Sequence, residues 1–570
     1  MKIFIRADGG EKIGLGHIMR CMSLAIELRK INTVTFICVN KSEYLSGINT
    51  LTANGFQVIK IDHKNIINEI IKIQSIYKYS LLITDSYDVN AGYFEILKKH
   101  FKFTGYIDDI NRCFMDVDFI INQNINAHSL DYFNHVNINT KLYLGSRYCM
   151  IREEFRKSAK DKIIMDEASN ILITLGGSDR NSTTMKILQC LNKFQQNIHV
   201  VIGSGFSSTL KARILKYADK NRNVYTYDKA DMAELMKICD IAVSACGSTL
   251  YELLAIKVPS LGIVTAENQK APAQFMKDKG LISEALDEDK INKQIIEESV
   301  KKLLRSKKRR KMIGSMSKCI NTYGAIELTY EICNICNMNK FTDKAEFAAL
   351  IFDLDDTLYY EKEYVLCAFK NVSLYLSEKY KINYNHLYDR TCSLLIEKGR
   401  GNIFDILCRE YGIEENISTL VDIYRSTKPI LKVYSDSILL FEKAKEKGIK
   451  LGIITDGNSK VQWNKIEALN LEEYMDKIIV TDDYGKGYSK PHEKPYIDMM
   501  NFLDADAENC IYIGDNPNKD FITAKKLGIK TIRIIREQGE NRYLLKDREY
   551  EADYIIRNLK ELLNCIILKG

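Results

Sequence analysis

Long apolar runs and a regular cysteine framework are both missing from this sequence. No uncharged apolar stretch of the roughly 18 residues needed for a membrane helix occurs, which argues against a membrane span. The 15 cysteines are irregularly spaced and fit reduced thiols better than disulfides. The N-terminal segment MKIFIRAD reaches Asp8 after a short apolar stretch, unlike a signal peptide. We therefore expect a cytoplasmic protein.

Zinc-site and nucleic-acid-binding patterns are also lacking. Cys333 and Cys336 form one tight pair, but no second C-x-x-C or histidine pair completes a zinc site, so we predict packing at a helix end. The net charge of +7 is small for 570 residues, and no basic block is interleaved with aromatics. We expect small-molecule partners and no nucleic acid; the oligomeric state is left open.

What the chain does contain is a repeated alternation of short apolar strands with longer amphipathic segments, the pattern of parallel α/β units. The strand pattern restarts at NILITLGGSD and again, after the polar stretch NMNKFTDKAE, at AALIFDLDD. We predict three α/β domains at residues 1–160, 161–338 and 347–570. Residues 358–445, approximately, lack clear buried strands and are predicted to form a helical insertion.

A glycine-rich turn, RADGGEKIGLGHIMRC at residues 6–21, follows the first predicted strand. Ligands of α/β sheets bind beyond the carboxyl ends of strands, where such turns lie. His17 is predicted in the first turn of the next helix, whose positive dipole end disfavours a second ring proton and leaves a neutral imidazole able to accept a proton from water. A helix-capping histidine in a plain tight turn is the alternative.

Further turns in the first half could hold a nucleotide. One offers free N–H groups and hydroxyls at a helix N-terminus, a suitable seat for a diphosphate: Gly247, Ser248 and Thr249. Glu252, about one helical turn later, could accept hydrogen bonds from a ribose diol. Gly177 in LGGSD belongs to a second glycine turn, and Asn268 follows another strand. Ordinary turns and a solvated glutamate are the alternatives.

A series of motifs follows in order over roughly residues 1–335: RADGG, IGLGHIMRC, ITDSY, YIDD, LGSRYCMIREEF, ILITLGGSD, SACGSTLYELLAIKVPSL and ENQ. Together they resemble the UDP-sugar hydrolases of pseudaminic acid biosynthesis, which share the two-Rossmann GT-B architecture of the MurG glycosyltransferase. The resemblance implies hydrolysis of UDP-2,4-diacetamido-2,4,6-trideoxy-β-L-altropyranose, or a related UDP-sugar, to UDP and free sugar, without a cofactor.

The same resemblance implies roles for individual residues. His17 would activate water at the anomeric carbon, and Tyr87 and Asn268 match positions that line the sugar site. The UDP-binding turn matches Gly247, Ser248 and Glu252. The remaining candidates are supporting or loop groups: Asp8, Gly16, Arg20 and Asp85.

Acidic side chains mark the ends of two strands in the last third of the chain. LIFDLDDTL carries Asp353 and Asp355, which face the same way if the backbone is extended. CIYIGDNPNKD adds Asp515 and Asp520 after another strand. Clustered carboxylates are costly without a cation, and oxygen ligands suit Mg²⁺. We therefore predict a magnesium site.

Two more strand ends supply groups that could hold a phosphate. Thr455 ends the strand of IITDG, and Lys490 in YSKPHEKPY provides a cation. Lys494 is a rival for this lysine, although its spacing from the following G-D-N strand is less usual, and we prefer Lys490.

The order D-x-D-x-T, T-D-G, K-P and G-D-x-x-x-x-D resembles the haloacid dehalogenase superfamily over about residues 347–570, with a helical cap at about 358–445. By this resemblance Asp353 is the nucleophile and Asp355 the acid and base, a pairing that favours a phosphatase, with a phosphomutase as the lesser alternative. Thr455 and Lys490 would hold phosphate oxygens. The magnesium ligands implied are Asp353, Asp355 through its carbonyl, Asp515 and Asp520.

Taken together, the motifs predict a bifunctional enzyme that removes UDP at one end and phosphate from a sugar phosphate at the other. Two alternatives remain open at this point. The first half could be a GT-B glycosyltransferase fused to a general metabolite or nucleotide phosphatase, or one half could be a non-catalytic binding module.

Overall fold

The computed structural model describes residues 1–10, 13–338 and 347–567. The chain divides into two compact units, Met1–Thr329 and Tyr330–Gly570. Most of the polar stretch predicted to separate the last two domains, residues 339–346, lies outside the described residues, as do Glu11 and Lys12 of the first glycine-rich turn.

The first unit begins with a seven-stranded parallel sheet in the order β3-β2-β1-β4-β5-β6-β7. Its strands are β1 (Lys2–Ala7), β2 (Thr33–Val39), β3 (Gln57–Ile61), β4 (Leu81–Asp85), β5 (Phe103–Ile107), β6 (Phe119–Asn122) and β7 (Lys141–Leu144). The helices of this region are α1 (Gly16–Leu28), α2 (Leu45–Ala53), α3 (Ile66–Tyr77), α4 (Ala91–Lys98) and α5 (Glu153–Lys160).

A second parallel sheet follows, with six strands in the order β10-β9-β8-β11-β12-β13. Its strands are β8 (Asn170–Thr174), β9 (Asn197–Val201), β10 (Val224–Tyr227), β11 (Ile241–Ala245), β12 (Ser260–Val264) and β13 (Ile282–Asp287). The helices are α6 (Thr183–Cys190), α7 (Ser208–Lys220), α8 (Met232–Ile238), α9 (Ser248–Ile256), α10 (Lys270–Asp278), α11 (Lys293–Leu304), α12 (Ser306–Cys319) and α13 (Gly324–Met338).

The third sheet, in the second unit, also has six parallel strands, in the order β16-β15-β14-β17-β18-β19. Its strands are β14 (Ala349–Phe352), β15 (Lys450–Thr455), β16 (Lys477–Val480), β17 (Cys510–Gly514), β18 (Lys530–Ile534) and β19 (Tyr554–Ile556). The helices are α14 (Glu361–Tyr380), α15 (Tyr384–Lys398), α16 (Ile403–Tyr411), α17 (Ile417–Arg425), α18 (Ser435–Glu446), α19 (Ser459–Ala468), α20 (Lys494–Leu503), α21 (Ile522–Lys526) and α22 (Lys560–Ile567).

The central strands carry the functional residues because they are buried on both faces. β1, β4, β11, β14 and β17 are almost wholly apolar and buried, as expected for strands inside a parallel sheet covered by helices. Polar side chains therefore collect where these strands end. The predicted fold class, three Rossmann-like α/β domains, is confirmed.

The helical insertion predicted at about residues 358–445 has its own apolar core. Side chains of α14 to α17, including Phe369, Leu387, Leu407 and Leu420, form a cluster separate from the sheet. The next helix, α18, instead packs Leu440 and its neighbours into the core beneath the third sheet. The structural cap therefore comprises α14 to α17. The predicted cysteine pair, Cys333 and Cys336, is buried along α13.

Candidate active sites

His17 lies in the first turn of α1, directly after the glycine turn, and contacts the last residue of β4. Its Nδ1 is 2.6 Å from Oδ1 of Asp85. A carboxylate can only accept a hydrogen bond, so Nδ1 carries a proton, and in the neutral ring the free electron pair is then on Nε2. The His17 side chain is 14% exposed, so the ring is not sealed in the core.

Arg20, one turn further along α1, is buried between two carboxylates. Its Nε and Nη2 donate to Asp85 at 2.7 and 2.6 Å, and its Nη1 donates to both oxygens of Asp109 at 2.8 and 2.9 Å. Burial alone would raise the pKa of Asp85, but Arg20 and His17 hold this pKa well below its ordinary value. Arg20 thus fixes the carboxylate that orients His17.

Tyr87, which follows β4 of the first sheet, and Asn268, which follows β12 of the second sheet, both join the network. The Tyr87 hydroxyl donates to Asp109 at 2.6 Å, and the Asn268 amide, after β12, donates to the Tyr87 oxygen at 3.2 Å. The rings of Tyr87 and His17 meet edge to face at 4.8 Å between centroids. Residues predicted to line the sugar site are therefore brought together around His17.

The predicted diphosphate turn lies beside the glycine turn that precedes α1. α9 begins at Ser248 after Gly247, which has no side chain to cap it. The Leu250 N–H donates to the Gly247 carbonyl at 3.1 Å, whereas the N–H groups of Ser248 and Thr249 have no hydrogen-bond partner among the described residues. A Cβ added to Gly16 would lie 3.7 Å from the Ser248 hydroxyl, which places the glycine turn beside this helix start. Thr249 occupies the first turn of α9.

Glu252, predicted to bind ribose, is held by an arginine. Arg152 donates from Nε and Nη2 to Oε1 of Glu252, at 3.2 and 2.9 Å. Burial raises the pKa of Glu252, and Arg152 counters that effect. Both contacts fall on one carboxylate oxygen, so Oε2 is not engaged by Arg152.

Asp8, and the glycine turn that contains Gly177, lie in segments held mainly by carboxylates that accept from backbone N–H groups. Asp8 is buried and accepts from the Val39 N–H at 2.7 Å, which ties the ends of β1 and β2 together. Near Gly177, the Asp179 carboxylate accepts from the N–H groups of Thr183 and Thr184, both at 2.8 Å. The start of α6 is therefore capped by Asp179, and an anion at this turn would have to bind to N–H groups of the preceding loop.

The candidate centre of the second unit is organised around Lys490. Its Nζ donates to Asp353 at 2.5 Å, to Asp520 at 2.8 Å and to the Tyr512 hydroxyl at 2.9 Å. Burial raises the pKa of Asp353 to about 6, against the lowering effect of Lys490. The rival Lys494 lies half-exposed on the surface and pairs with Asp498 at 2.9 Å.

Three buried carboxylates form a group that fits a divalent cation. Asp353, Asp515 and Asp520 each present an oxygen, and these oxygens lie within 4.8 Å of one another. Lys490 contacts only two of them, so negative charge is in excess, and burial beside the other two raises the pKa of Asp515 well above its ordinary value. Oxygen donors with uncompensated charge match the preference of Mg²⁺.

Asp355 lies apart from this group. Its carboxylate accepts from Lys465 at 2.7 and 3.0 Å, from the Tyr359 hydroxyl at 2.6 Å and from the Gln462 amide at 3.1 Å. The same Gln462 amide donates to the Thr455 hydroxyl at 2.6 Å. The Asp355 side chain is therefore not among the grouped carboxylate oxygens, which leaves its carbonyl as the predicted metal contact.

A cavity of about 530 Å³ opens over these groups. Asp353, Asp355 and Asp515 line its floor, and cap residues Arg400, Tyr424 and Arg425 complete its walls. The other residues that line the cavity are mostly polar: Asp356, Glu361, Tyr364, Asp456, Gly457, Asn458, Val461, Gln462, Lys465, Asn516, Lys519, Glu540 and Asn541.

Several residues in these networks were not predicted. Asp109 stands in YIDD directly after β5, a strand-end signal comparable to that of Asp85. Arg152, Gln462 and Lys465 lie away from strand ends, where only the spacing of a known partner could have pointed to them.

Comparison with known proteins agrees with the division of the chain into two units. The second unit has a group of buried carboxylates on a parallel sheet beneath a helical cap, and residues 350–534 match the haloacid dehalogenase-like hydrolase family. A glyceraldehyde 3-phosphate phosphatase of Methanocaldococcus jannaschii is 31% identical over 38% of this chain and 96% of its own length. The C-terminal part of the chain therefore belongs to the haloacid dehalogenase-like hydrolases.

In the first unit, residues 170–327 match the glycosyltransferase family 28 C-terminal domain. A UDP-2,4-diacetamido-2,4,6-trideoxy-β-L-altropyranose hydrolase of Campylobacter jejuni is 26% identical over 49% of this chain and 97% of its own length. An uncharacterised protein of M. jannaschii is 32% identical over 47% of this chain, and the match spans only 57% of that protein. Within the described residues, no helix has the length and apolar character required to cross a membrane.

Proposed function

We propose that the first unit hydrolyses UDP-2,4-diacetamido-2,4,6-trideoxy-β-L-altropyranose, or a related UDP-sugar, to UDP and free sugar. The observation that carries this proposal is the His17–Asp85 contact of 2.6 Å, which leaves Nε2 of a partly exposed imidazole as a base. It lies beside the helix start at Ser248, which can accept the diphosphate. The likeness to the C. jejuni hydrolase supports the same activity.

In this reaction Nε2 of His17 takes a proton from water as the water oxygen attacks the anomeric carbon. The bond between that carbon and the diphosphate oxygen breaks, and its electron pair leaves with UDP. Backbone N–H groups at Gly247 to Thr249 stabilise the charge on the departing diphosphate. Asp85 keeps the imidazole in the required tautomer and stabilises the imidazolium that forms.

For the second unit, we propose magnesium-dependent hydrolysis of a small phosphate ester, preferably a sugar phosphate. The observation that carries it is the group of Asp353, Asp515 and Asp520 beneath a polar cavity of about 530 Å³, a volume suited to a small hydroxylated metabolite. The phosphatase relatives support the reaction class. A shared pathway for the two activities is inferred from their fusion in one chain.

Asp353 attacks phosphorus and forms an aspartyl-phosphate as the ester P–O bond breaks. In its protonated form Asp355 donates its proton to the departing alcohol oxygen, and the carboxylate that results accepts a proton from the water that cleaves the Asp353–phosphate bond, which restores the starting form. Lys490 and Thr455 hold phosphate oxygens. Mg²⁺, held by Asp353, Asp515, Asp520 and the carbonyl of Asp355, would neutralise phosphate charge.

The test is to incubate the purified full chain with a panel of UDP-sugars and a panel of sugar phosphates in buffer alone, with and without Mg²⁺. We expect UDP and free sugar from one panel, and inorganic phosphate only with Mg²⁺ from the other. UDP released only when an acceptor is added would instead establish a glycosyltransferase, the alternative that the family 28 domain favours.

A further inference from the structure

Lys465 is a buried cation that has no role in the reaction proposed above. It lies on α19 with a side chain only 3% exposed. Its Nζ donates to both oxygens of Asp355, at 2.7 and 3.0 Å, and to Oε1 of Gln462 at 2.8 Å. A buried lysine is costly to desolvate, so its placement against this carboxylate calls for a specific role.

Gln462 extends the contact to the phosphate-holding threonine. It lies three residues before Lys465, on the same face of α19. Its amide nitrogen is 3.1 Å from Oδ2 of Asp355 and 2.6 Å from the Thr455 hydroxyl. With the Tyr359 hydroxyl at 2.6 Å on Oδ1, both oxygens of Asp355 are fixed. We call Tyr359, Gln462 and Lys465 the Asp355 clamp.

The clamp also reaches the first helix of the cap. The Lys465 ammonium lies 5.0 Å from the Tyr364 ring centroid and 3.9 Å from Glu361 Oε1, both on α14. The lysine therefore joins three parts of the second unit: the turn after β14, α19 and the cap.

We propose that Lys465, together with Gln462, is the positioning residue that orients the Asp355 carboxylate for proton transfer to the leaving oxygen and from water. The inference rests on the proposed phosphatase activity. Proton transfer requires the acid within hydrogen-bond distance of the reacting oxygen, so a side chain free to rotate would lose most of its effect. Lys465 itself exchanges no proton and touches no reacting atom.

The experiment compares two esters that differ in their need for an acid. p-Nitrophenolate leaves without protonation, whereas the alcohol of a sugar phosphate requires it. For Lys465→Met we expect kcat/KM to fall about 100-fold on the best sugar phosphate and less than about 10-fold on p-nitrophenyl phosphate. kcat/KM is chosen because it reports the steps up to the first departure of the leaving group.

A second readout comes from the later step of the reaction, the hydrolysis of the aspartyl-phosphate. If Asp355 is misplaced, attack of water on the aspartyl-phosphate also slows, so Lys465→Met should release a burst of about one p-nitrophenol per enzyme before the steady state. A role limited to folding would lower kcat/KM by the same factor on both esters and give no burst, and that result would overturn the proposal.

Lys460→Met is the matched control, because Lys460 lies on the same helix but is exposed and donates to the Ser426 hydroxyl, at 2.7 Å, instead of to Asp355. We expect its ratio between the two esters to equal that of the wild type. Should Lys465→Met not fold, Gln462→Leu decides: the same selective loss supports the clamp, and an equal loss on both esters contradicts it. Absence of any phosphatase activity in the wild type would instead refute the proposed function.

Discussion

A buried cation between two carboxylates occurs in both candidate sites, with different outcomes. Arg20 donates to both oxygens of Asp85 and to both oxygens of Asp109, so each carboxylate of that network is paired with the buried guanidinium. Lys490 satisfies Asp353 and Asp520 but leaves Asp515 outside its reach. The excess negative charge among Asp353, Asp515 and Asp520 matches what a divalent cation requires of its ligands.

Replacing His17 tests the base directly. In His17→Phe the ring is kept but the accepting nitrogen is lost, so UDP release should fall by about 10³-fold while phosphatase activity is unchanged. Both activities are measured on the same preparation, and Asp353→Asn serves as the reciprocal variant, which should lose phosphate release alone. UDP release at the wild-type rate from His17→Phe would remove His17 from the reaction.

Asp85→Asn tests the orienting carboxylate. An asparagine amide can donate to Nδ1 of His17, which would move the ring proton to Nε2 and remove the base. We expect kcat for UDP release to fall by about 10³-fold with little change in KM. Loss of one partner of buried Arg20 should also cost about 3 kcal/mol of unfolding free energy.

The stability change in Asp85→Asn is measured by denaturant unfolding, and the tautomer by the nitrogen chemical shifts of His17. If kcat were unchanged although the protein is destabilised, Asp85 would be structural and the orienting role wrong.

At the scale of single elements, the sequence-based predictions succeed for central strands and miss four of the six edge strands, although the edge strands β10 (NVYTYD) and β16 (KIIVTDD) are predicted. The four strands that were not predicted, β3, β7, β13 and β19, each end a sheet. Strands β3, β7 and β13 are largely exposed or half-buried, so their residues lack the continuous apolar run that marks a strand enclosed on both faces. β19 has three residues, too few to show the apolar run by which a strand is recognised in a sequence.

The same reasoning explains how much of the site was predictable. Residues at the ends of central strands, such as Asp85, Asp353 and Asp515, are recognisable because a polar group follows an apolar run. Arg152 reaches Glu252, and Lys465 reaches Asp355, from a helix or its flank, and these contacts depend on how the helix packs. Such tertiary distances have no local sequence signal.

The end of β17 gives an element-scale test. A Cβ on Gly514 would lie 2.5 Å from Oδ2 and 2.8 Å from Cγ of buried Asp520. Gly514→Ala should therefore displace this carboxylate, lower phosphatase kcat/KM at least about tenfold and cost about 1–3 kcal/mol of stability. Gly314→Ala on α12, where a Cβ meets open space, is the control and should leave phosphatase activity unchanged. Full activity in Gly514→Ala would show that Asp520 need not hold its present position.

At the scale of the whole chain, two chemistries with different requirements share one polypeptide. The first unit gathers an imidazole, a guanidinium and helix N–H groups, the set that is proposed above to act on a UDP-sugar. Among the described residues, the group of three metal-binding candidates lies in the second unit. The two activities should consequently respond independently to removal of divalent cations.

Chelation with EDTA should abolish phosphate release and leave UDP release from the same sample within about twofold of its starting rate. Restoring Mg²⁺ should recover the phosphatase and raise the unfolding temperature of the second unit, because a bound cation relieves repulsion among Asp353, Asp515 and Asp520. Asp515→Asn should weaken this thermal shift. Rates of UDP and phosphate release, together with calorimetry of the full chain, measure all three effects. If EDTA stopped UDP release as well, the first unit would itself need a metal ion, and a base formed by His17 and Asp85 alone would not account for its chemistry.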